Sequence, residues 1–290
     1  MYRLRCKGYF AIFQFISIFF VPYVCGLANT SRGSVTGVTL KIAFDSSRTD
    51  DPDGYGGVAD ASAIKSERFT SPESLDMVHR LRRISDCVLV GRGTVEADDC
   101  TLTVRRVPLL EGRDCQPTRV VLDPRLRLFK DVERKYQMFQ DGHKVIVYHH
   151  TKDELAQSFS EKETVNLVNV SVNDELSSDM SMETPTFGID PTSVIKSLRE
   201  EFGINHVMVE GGPVTAISFL EKRLVDRAII VKAPVAFGKP VPSKMSKRIM
   251  VNAGLECIGH YKNVGGDEIE CWVRFGDNWP SEDGKLTSWP

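Results

Sequence analysis

From Val38 onward, short apolar runs alternate with segments whose apolar residues recur at helical spacing. This alternation is typical of a mostly parallel sheet that is flanked by helices. The apolar runs predict strands, which are Val38–Phe44, Cys87–Val90, Arg119–Leu122, Lys144–Tyr148, Val165–Val170, His206–Val209, Arg227–Ala233, Lys247–Tyr261 and Ile269–Phe275. The last two are spaced as an antiparallel hairpin that closes one sheet edge. Helices are predicted over Pro191–Phe202, over Val214–Lys222, and from Pro72, where Ser71 can cap the helix, to Arg82 and Arg83 at its end. One α/β domain over residues 38–276 accounts for this pattern, and the tail 277–290 is predicted to be loose.

Two of the predicted strands end in glycine-containing turns that suit a ligand site. Cys87–Val90 runs into Gly91-Arg92-Gly93-Thr94, and His206–Val209 runs into Glu210-Gly211-Gly212-Pro213. Ligands of open α/β sheets bind at the carboxyl ends of strands, where glycines let a backbone approach a phosphate. A carboxylate at the end of a buried strand destabilises the fold unless it meets a ligand or a partner charge. Glu210 is therefore stronger evidence for a ligand site than the glycines of the first turn. Neither turn has the full dinucleotide-binding pattern of three glycines.

The first 37 residues have the composition of a targeting segment. Arg3, Arg5 and Lys7 precede an apolar run of about 16 residues, which is shorter than the ~20 that a membrane span needs and contains Pro22. The following stretch is rich in Ser, Thr and Gly, and the first acidic residue is Asp45. A signal peptide followed by a transit-like stretch predicts delivery to a plastid, with the secretory pathway as the alternative and no membrane contact after processing.

Composition narrows the class of partner. The chain has 290 residues, a formal net charge of −2 and charges of both signs mixed along its length, which argues against a nucleic-acid partner and favours a small molecule. The seven cysteines are scattered and form no CxxC pair, and no HxE motif is present. We therefore expect neither a disulfide framework nor a metal site.

Several blocks of sequence resemble the reductase domain of the bacterial riboflavin deaminase/reductase family. The blocks are Ser66–Glu73, Val78–Arg82, the long segment Asp86–Arg105, Pro117–Asp123 and Val209–Gly212, and together they extend the resemblance over about Val38 to Phe275. The resemblance implies a dihydrofolate-reductase-like α/β fold, a homodimer, and NADPH as cofactor. It implies reduction of 5-amino-6-(5-phosphoribosylamino)uracil to its ribitylamino product, a reaction in which the protein mainly orients two ligands.

The resemblance also assigns residues to the two ligands. Asp98 and Glu210 are the implied catalytic residues. The implied NADPH contacts are Phe44, Arg68, Thr94, Asp98, Gly212, Pro213, Val214, Thr215, Ala216, Ile217 and Ser218. The implied substrate contacts are Ser66, Arg82, Leu102, Arg105 and Glu210, and the arginines would hold the 5′-phosphate.

The chain departs from the family pattern in three places. The loop Asp45–Gly57 is longer than the family's compact loop, and Cys100 stands where the family usually has proline. No deaminase-like segment precedes Val38, which predicts a reductase alone.

Two alternative functions remain open from the sequence. One is reduction of the 2,5-diamino-6-ribosylamino-pyrimidinone 5′-phosphate before deamination, although Leu102-Thr103-Val104-Arg105 looks more like the bacterial form. The other is a catalytically silent family member that binds a nucleotide or a partner protein.

Overall fold

The computed structural model describes residues 36–47, 49–63, 68–111, 115–131, 133–151, 164–170 and 188–276. The predicted targeting segment, apart from its last two residues, the tail 277–290 and the predicted substrate contact Ser66 lie outside these ranges. In the described part of the chain, no helix is both long enough and apolar enough to span a bilayer.

A nine-stranded sheet forms the centre of the described structure. In sequence order its strands are β1 (Gly37–Phe44), β3 (Cys87–Gly91), β4 (Thr118–Leu122), β5 (Val145–His149), β6 (Val165–Asn169), β7 (His206–Val209), β8 (Arg227–Lys232), β10 (Leu255–Lys262) and β11 (Glu268–Arg274). Their order across the sheet is β10-β11-β8-β1-β7-β3-β4-β5-β6. All neighbours from β8 to β6 are parallel, and β11 and β10 are antiparallel. The predicted α/β class, a mostly parallel central sheet flanked by helices with an antiparallel C-terminal edge, is confirmed.

The helices and the remaining short elements connect these strands. The helices are α1 (Pro72–Ile84), α2 (Arg92–Asp98), α3 (Pro191–Glu200), α4 (Pro213–Glu221) and α5 (Lys247–Asn252), and one-turn 3-10 helices occupy Arg127–Phe129 and Gln137–Phe139. The prediction of one strand run over Lys247–Tyr261 is wrong in its first half, because residues Lys247–Asn252 are helical and Gly254, at φ +84°, turns the chain into β10.

The central strands are buried on both faces, as their unbroken apolar sequence predicts. In β3 the side chains of Val88 and Leu89 are fully buried and pack into different apolar clusters, one on each side of the sheet. This follows from the alternation of side chains along a strand. Burying each such side chain stabilises the fold by about 1.5–3 kcal/mol, so the sheet is a rigid base for its strand ends.

Helix α1 begins and ends as its sequence predicts. The Ser71 hydroxyl caps the helix by accepting the Ser74 N–H, and Pro72 occupies the first turn. Ser71 in turn donates its N–H and its hydroxyl to Asp267 in the β10–β11 turn, at 2.8 and 2.7 Å. These bonds fix the direction of α1, which brings Arg82 in its last turn to the sheet edge.

A small antiparallel sheet of β2 (Gly57–Asp60) and β9 (Pro240–Pro242) is fastened to the end of β1. The fully buried carboxylate of Asp45 accepts the N–H groups of Gly57 and Phe237 at 2.6 and 2.8 Å. Asp45 therefore holds together the loops that lead into the two strands.

Candidate active site

The strand ends at Gly91 and Glu210 lie next to each other, as the sequence predicts. Strand β3 pairs in parallel with β7, with Leu89 opposite Val209, and the Glu210 N–H donates to the Leu89 carbonyl at 2.9 Å. A cavity of about 1070 Å³ opens over both strand ends. This volume is slightly above the upper end of the range for a single drug-sized ligand, roughly 300–1,000 Å³, so it suits two ligands side by side.

Glu210 and Arg82 form a buried ion pair in the cavity wall. Arg82 Nε and Nη2 donate to the two carboxylate oxygens of Glu210 at 2.6 and 2.7 Å, and Nη1 donates to the Thr103 carbonyl at 3.1 Å. The two side chains are only 11% and 12% exposed. Burial alone would raise the pKa of Glu210, but the Arg82 guanidinium outweighs burial and holds that pKa below its ordinary value. Glu210 is therefore a carboxylate at neutral pH.

Lys41 brings an unpaired ammonium group to the same cavity. It lies in β1, directly beside β7 in the sheet, and it lines the cavity without a hydrogen bond or ion pair to any residue the structure describes. Burial lowers the pKa of Lys41, and the charge of Glu210 partly opposes that shift. A partly buried cation without a hydrogen bond or ion pair is costly, which indicates that Lys41 meets a ligand.

The start of α4 lines the same cavity as these groups. Gly212 precedes the helix without any side-chain cap, and its N–H donates to the Thr94 hydroxyl at 3.3 Å. A Cβ on Gly91 would lie 2.6 Å from Thr215 Oγ1, and one on Gly211 would lie 2.8 Å from Thr215 Cβ. Glycine is therefore required for α4 to approach the sheet this closely. The uncapped N–H groups of its first turn are suited to an anion.

Two further cations, Arg68 and Arg105, lie close enough to each other for their charges to interact. Arg68 lines the cavity with no partner among the described residues, and Arg105 donates to the Thr101 hydroxyl at 2.9 Å. Desolvation and the nearby guanidinium of Arg68 lower the pKa of Arg105. The Arg105 N–H donates to Nδ1 of buried His79 at 3.1 Å, and burial lowers the pKa of His79 to about 4. A neutral His79 thus acts as the acceptor that positions Arg105.

Most of the predicted site residues line this one cavity. They are Arg68, Arg82, Thr94, Asp98, Leu102, Glu210, Gly212, Pro213, Val214, Thr215 and Ser218. Leu102 is 3% exposed and has a left-handed backbone at φ +55°, a conformation that costs a non-glycine residue about 1–2 kcal/mol and often marks a functional site.

Four of the predicted contacts do not line the cavity. Phe44 is fully buried with its ring stacked on Tyr55 at 4.8 Å, because β1 directs it into the core. Ala216 and Ile217 pack on the same core, since they occupy the inner face of α4. Arg105 is exposed and borders the cavity without lining it. Arg82 lines the cavity, and its guanidinium charge is paired with the Glu210 carboxylate.

The sequence prediction missed several cavity residues. Lys41 was detectable as a lone charge inside an apolar strand. Asp123, Arg125 and Arg127 follow β4 at the same sheet edge as Gly91 and also line the cavity. Residues 58–61 and Ala63, from β2 and the turn after it, form an outer wall that the irregular loop sequence did not reveal.

Comparison with protein families places the chain among riboflavin-biosynthesis proteins. The family model described as the RibD C-terminal domain matches residues 56–262. The riboflavin biosynthesis protein RibD of Aquifex aeolicus is 33% identical over 174 residues, which are 60% of this chain and 42% of that protein. The 2,5-diamino-6-ribosylamino-4(3H)-pyrimidinone 5′-phosphate reductase of Archaeoglobus fulgidus is 30% identical over 188 residues, 63% of this chain and 77% of that protein.

Solved structures agree on the fold. RibD of Acinetobacter baumannii superposes with a TM-score of 0.59 at 23% identity, over 83% of this chain and 58% of that one. The riboflavin biosynthesis reductase of Saccharomyces cerevisiae superposes with a TM-score of 0.55 at 22% identity, over 84% of this chain and 92% of that one.

Proposed function

Because the chain belongs to the RibD C-terminal domain family, we propose that it is a reductase of riboflavin biosynthesis that uses NADPH to reduce a phosphoribosylamino-pyrimidine. The observation that carries the proposal is the meeting of the unpaired Lys41 ammonium, the Glu210–Arg82 ion pair and the uncapped start of α4 in one cavity. The chain spans less than half of the Aquifex relative, so the activity of that whole protein is not carried over.

The cavity suits a nicotinamide dinucleotide on one side. The uncapped N–H groups in the first turn of α4 offer donors to a pyrophosphate, and Gly93, whose Cβ would meet nothing within 4 Å, leaves open space in the cavity wall. Thr94, Thr215 and the exposed side chain of Val214 complete this wall. When bound, NADPH would supply the hydride.

The other side of the cavity suits the sugar phosphate. Arg68 and Arg105 would bind the 5′-phosphate through charge-assisted hydrogen bonds. Glu210, held as a carboxylate, would accept hydrogen bonds from the amino group or the sugar hydroxyls, and Arg82 keeps its orientation fixed.

Lys41 is the best-placed proton donor for the reduction. Once the sugar ring has opened to the imine, hydride addition forms a C–H bond at the former anomeric carbon, and the C=N electron pair moves to nitrogen, which takes up a proton. Burial lowers the pKa of Lys41, so its ammonium group gives up a proton more readily than that of a solvated lysine. We assign that proton to Lys41 Nζ.

The substrate is proposed to be 5-amino-6-(5-phosphoribosylamino)uracil. This chain matches relatives of both names, the RibD protein and the diamino-pyrimidinone reductase. Family membership alone therefore does not distinguish the deaminated uracil from the diamino-pyrimidinone as the substrate. The resemblance of Leu102-Thr103-Val104-Arg105 to the bacterial form supports the deaminated uracil. The test is NADPH oxidation by the full chain with each pyrimidine in turn. A higher kcat/KM for the diamino compound would overturn the choice, and no oxidation with either would overturn the reductase proposal.

Two further proposals concern assembly and location. A homodimer is supported by the edge strand β10 and the turn after it, where Ile258, Tyr261 and Val264 are exposed. Sedimentation analysis tests it, and a monomer at micromolar concentration would contradict it. Plastid delivery by residues 1–37 is supported by their composition and is tested by fusing them to a fluorescent protein.

A further inference from the structure

The segment Thr101–Arg105, called the substrate segment below, carries two of the proposed substrate contacts but belongs to no helix or strand. In the described part of the chain, its backbone forms no hydrogen bond with another backbone group. One of the two contacts, Leu102, is buried and has a left-handed backbone at φ +55°. A residue other than glycine keeps such a conformation only where its surroundings hold it in place. The substrate segment must therefore be fixed by side chains from other parts of the fold.

Gln116, two residues before β4, binds both backbone groups of one residue in the substrate segment. Its Oε1 accepts the Val104 N–H at 2.6 Å, and its Nε2 donates to the Val104 carbonyl at 3.1 Å. A residue of an antiparallel sheet exchanges the same two kinds of bond with the residue opposite it. An amide side chain can replace that strand partner, because it carries an acceptor oxygen and a donor nitrogen side by side.

Two arginines bind the carbonyl groups on either side of this contact. Arg82 donates to the Thr103 carbonyl at 3.1 Å, and Arg119 donates to the Thr101 carbonyl at 3.3 Å. Both arginines also form ion pairs, so replacing either one would disturb more than the substrate segment. The Gln116 amide makes no other hydrogen bond to a described residue, and Gln116 does not line the cavity. A change at this position therefore acts on a ligand only through the substrate segment.

We propose that Gln116 is a positioning residue for the substrate. Its two bonds to Val104 fix the backbone that directs Leu102 into the cavity. The same bonds hold the start of Arg105, which is proposed to bind the 5′-phosphate. This inference rests on the proposed function, because it assumes that a phosphoribosylamino-pyrimidine meets the substrate segment.

The kind of kinetic effect follows from where these contacts lie on the substrate. When both Gln116 bonds are removed, the left-handed backbone at Leu102 loses a restraint and the substrate segment relaxes. The phosphate is distant from the carbon that receives the hydride, so its contacts are the same before and during the reaction. Loss of such uniform binding raises KM and leaves kcat nearly unchanged.

The test is a set of steady-state measurements on the full chain, with 5-amino-6-(5-phosphoribosylamino)uracil and NADPH varied in turn. Gln116→Met keeps the length of the side chain and removes both the donor and the acceptor, whereas Gln116→Glu keeps an acceptor for the Val104 N–H and loses the donor. Asn169→Ala is the matched control, because it removes another amide that donates to a backbone carbonyl, that of Thr151 at 3.0 Å, on the edge strand β6 outside the cavity.

In both Gln116 variants the KM for the pyrimidine should rise roughly tenfold or more, as the loss of one or two hydrogen bonds predicts. The kcat should stay within about threefold, and both the KM for NADPH and the Kd for its fragment 2′,5′-ADP, measured by calorimetry, within about twofold. Asn169→Ala should change none of these values. An unchanged KM for the pyrimidine, an equal rise in both KM values, or a fall in kcat alone would overturn the inference.

Hydrogen exchange separates this inference from the proposed function, because it needs no turnover. In NMR spectra of the ligand-free chain, the Val104 amide should be protected in the wild type and should exchange about tenfold faster or more in Gln116→Met. The amide of Leu89 in the central strand β3 should keep its rate in both proteins. A Val104 amide that exchanges freely in the wild type would overturn the inference. A protected Val104 amide in a chain that oxidises no NADPH with either pyrimidine would refute the reductase function and leave the contact between Gln116 and the substrate segment standing.

Discussion

Replacing Glu210 by glutamine tests whether the buried ion pair is both a structural and a functional element. The substitution keeps the size of the side chain and one oxygen that can accept from Arg82 Nε, but it removes the negative charge. Arg82 would then be an uncompensated cation that is 11% exposed. We expect a large loss of turnover together with a measurable loss of stability.

The size of the stability loss follows from the geometry of the pair. Breaking a buried ion pair by removing one partner costs about 3–5 kcal/mol, and the remaining acceptor oxygen places Glu210→Gln near the low end, at about 3 kcal/mol. For a domain of this size that corresponds to a fall in Tm of roughly 6–12 °C. Since whole domains are stable by only about 5–15 kcal/mol, the variant is expected to fold at 25 °C, and its activity must be assayed well below its own Tm.

The assay is a double-mutant cycle in denaturant, with Glu210→Gln, Arg82→Met and the two combined. The double variant should lose less stability than the sum of the single variants, because the single changes each leave one charge unpaired. Glu256→Gln, an exposed glutamate of β10 outside the cavity, is the matched control and should change stability by less than about 0.5 kcal/mol. Additive losses within that margin, or a Glu210→Gln variant as stable as the wild type, would refute the reasoning.

The same pair predicts a pH dependence of stability. The pKa of Glu210 in the folded protein is below the ordinary value of 4.5 that it takes when unfolded. Its contribution is therefore fully present above pH 4.5 and is lost as the pH falls through the lower, folded value. The stability difference between the wild type and Glu210→Gln should shrink over that range. A difference that stays constant down to pH 3 would contradict the assignment.

Three further predictions follow from other parts of the site. Lys41→Met should lower kcat strongly in the NADPH-oxidation assay. Its Kd for 2′,5′-ADP, measured by calorimetry, should stay within about twofold of the wild-type value. An unchanged kcat would exclude Lys41 as the proton donor. Gly211→Ala should cost about 1–3 kcal/mol in thermal unfolding, because its Cβ would clash with Thr215, whereas Gly93→Ala, whose Cβ meets open space, should cost under about 0.5 kcal/mol. In an NMR titration the ring of His79 should stay neutral to near pH 4. Because the pKa of His79 in the folded protein lies below its unfolded value of 6.5, the neutral ring stabilises the folded state above pH 6.5, and this stabilisation is lost as the pH falls towards 4. A titration midpoint near pH 6.5 would contradict the burial of His79.

The fold was predictable where burial dominates the sequence pattern. Cys87–Val90 and His206–Val209 are unbroken apolar runs, and both are central parallel strands that lie next to each other. Parallel pairing then brings the ends of both strands, at Gly91 and Glu210, to the same edge of the sheet. Ser71 and Pro72 likewise predicted the start of α1, because capping is a local property of the chain.

The site was less predictable where long-range contacts decide it. Arg82 was predicted to bind a phosphate, but its partner is Glu210, a residue 128 positions away in the sequence. Phe44 was predicted to contact the cofactor, but the long loop after β1 brings Tyr55 onto its ring. The arginines at positions 125 and 127 look like surface charges in the sequence, and only the anchoring of their turn by Asp123 shows that they face the cavity.

The central claim is that one cavity brings a nicotinamide against the sugar carbon of the pyrimidine. The most direct measurement supplies the full chain with NADPH deuterated at C4 of the nicotinamide and with 5-amino-6-(5-phosphoribosylamino)uracil, and then locates the label in the product by NMR and mass spectrometry. We expect one deuterium at C1′ of the ribityl chain when the label is on one face of the nicotinamide and none when it is on the other. Oxidation of NADPH without deuterium at C1′ would contradict the account.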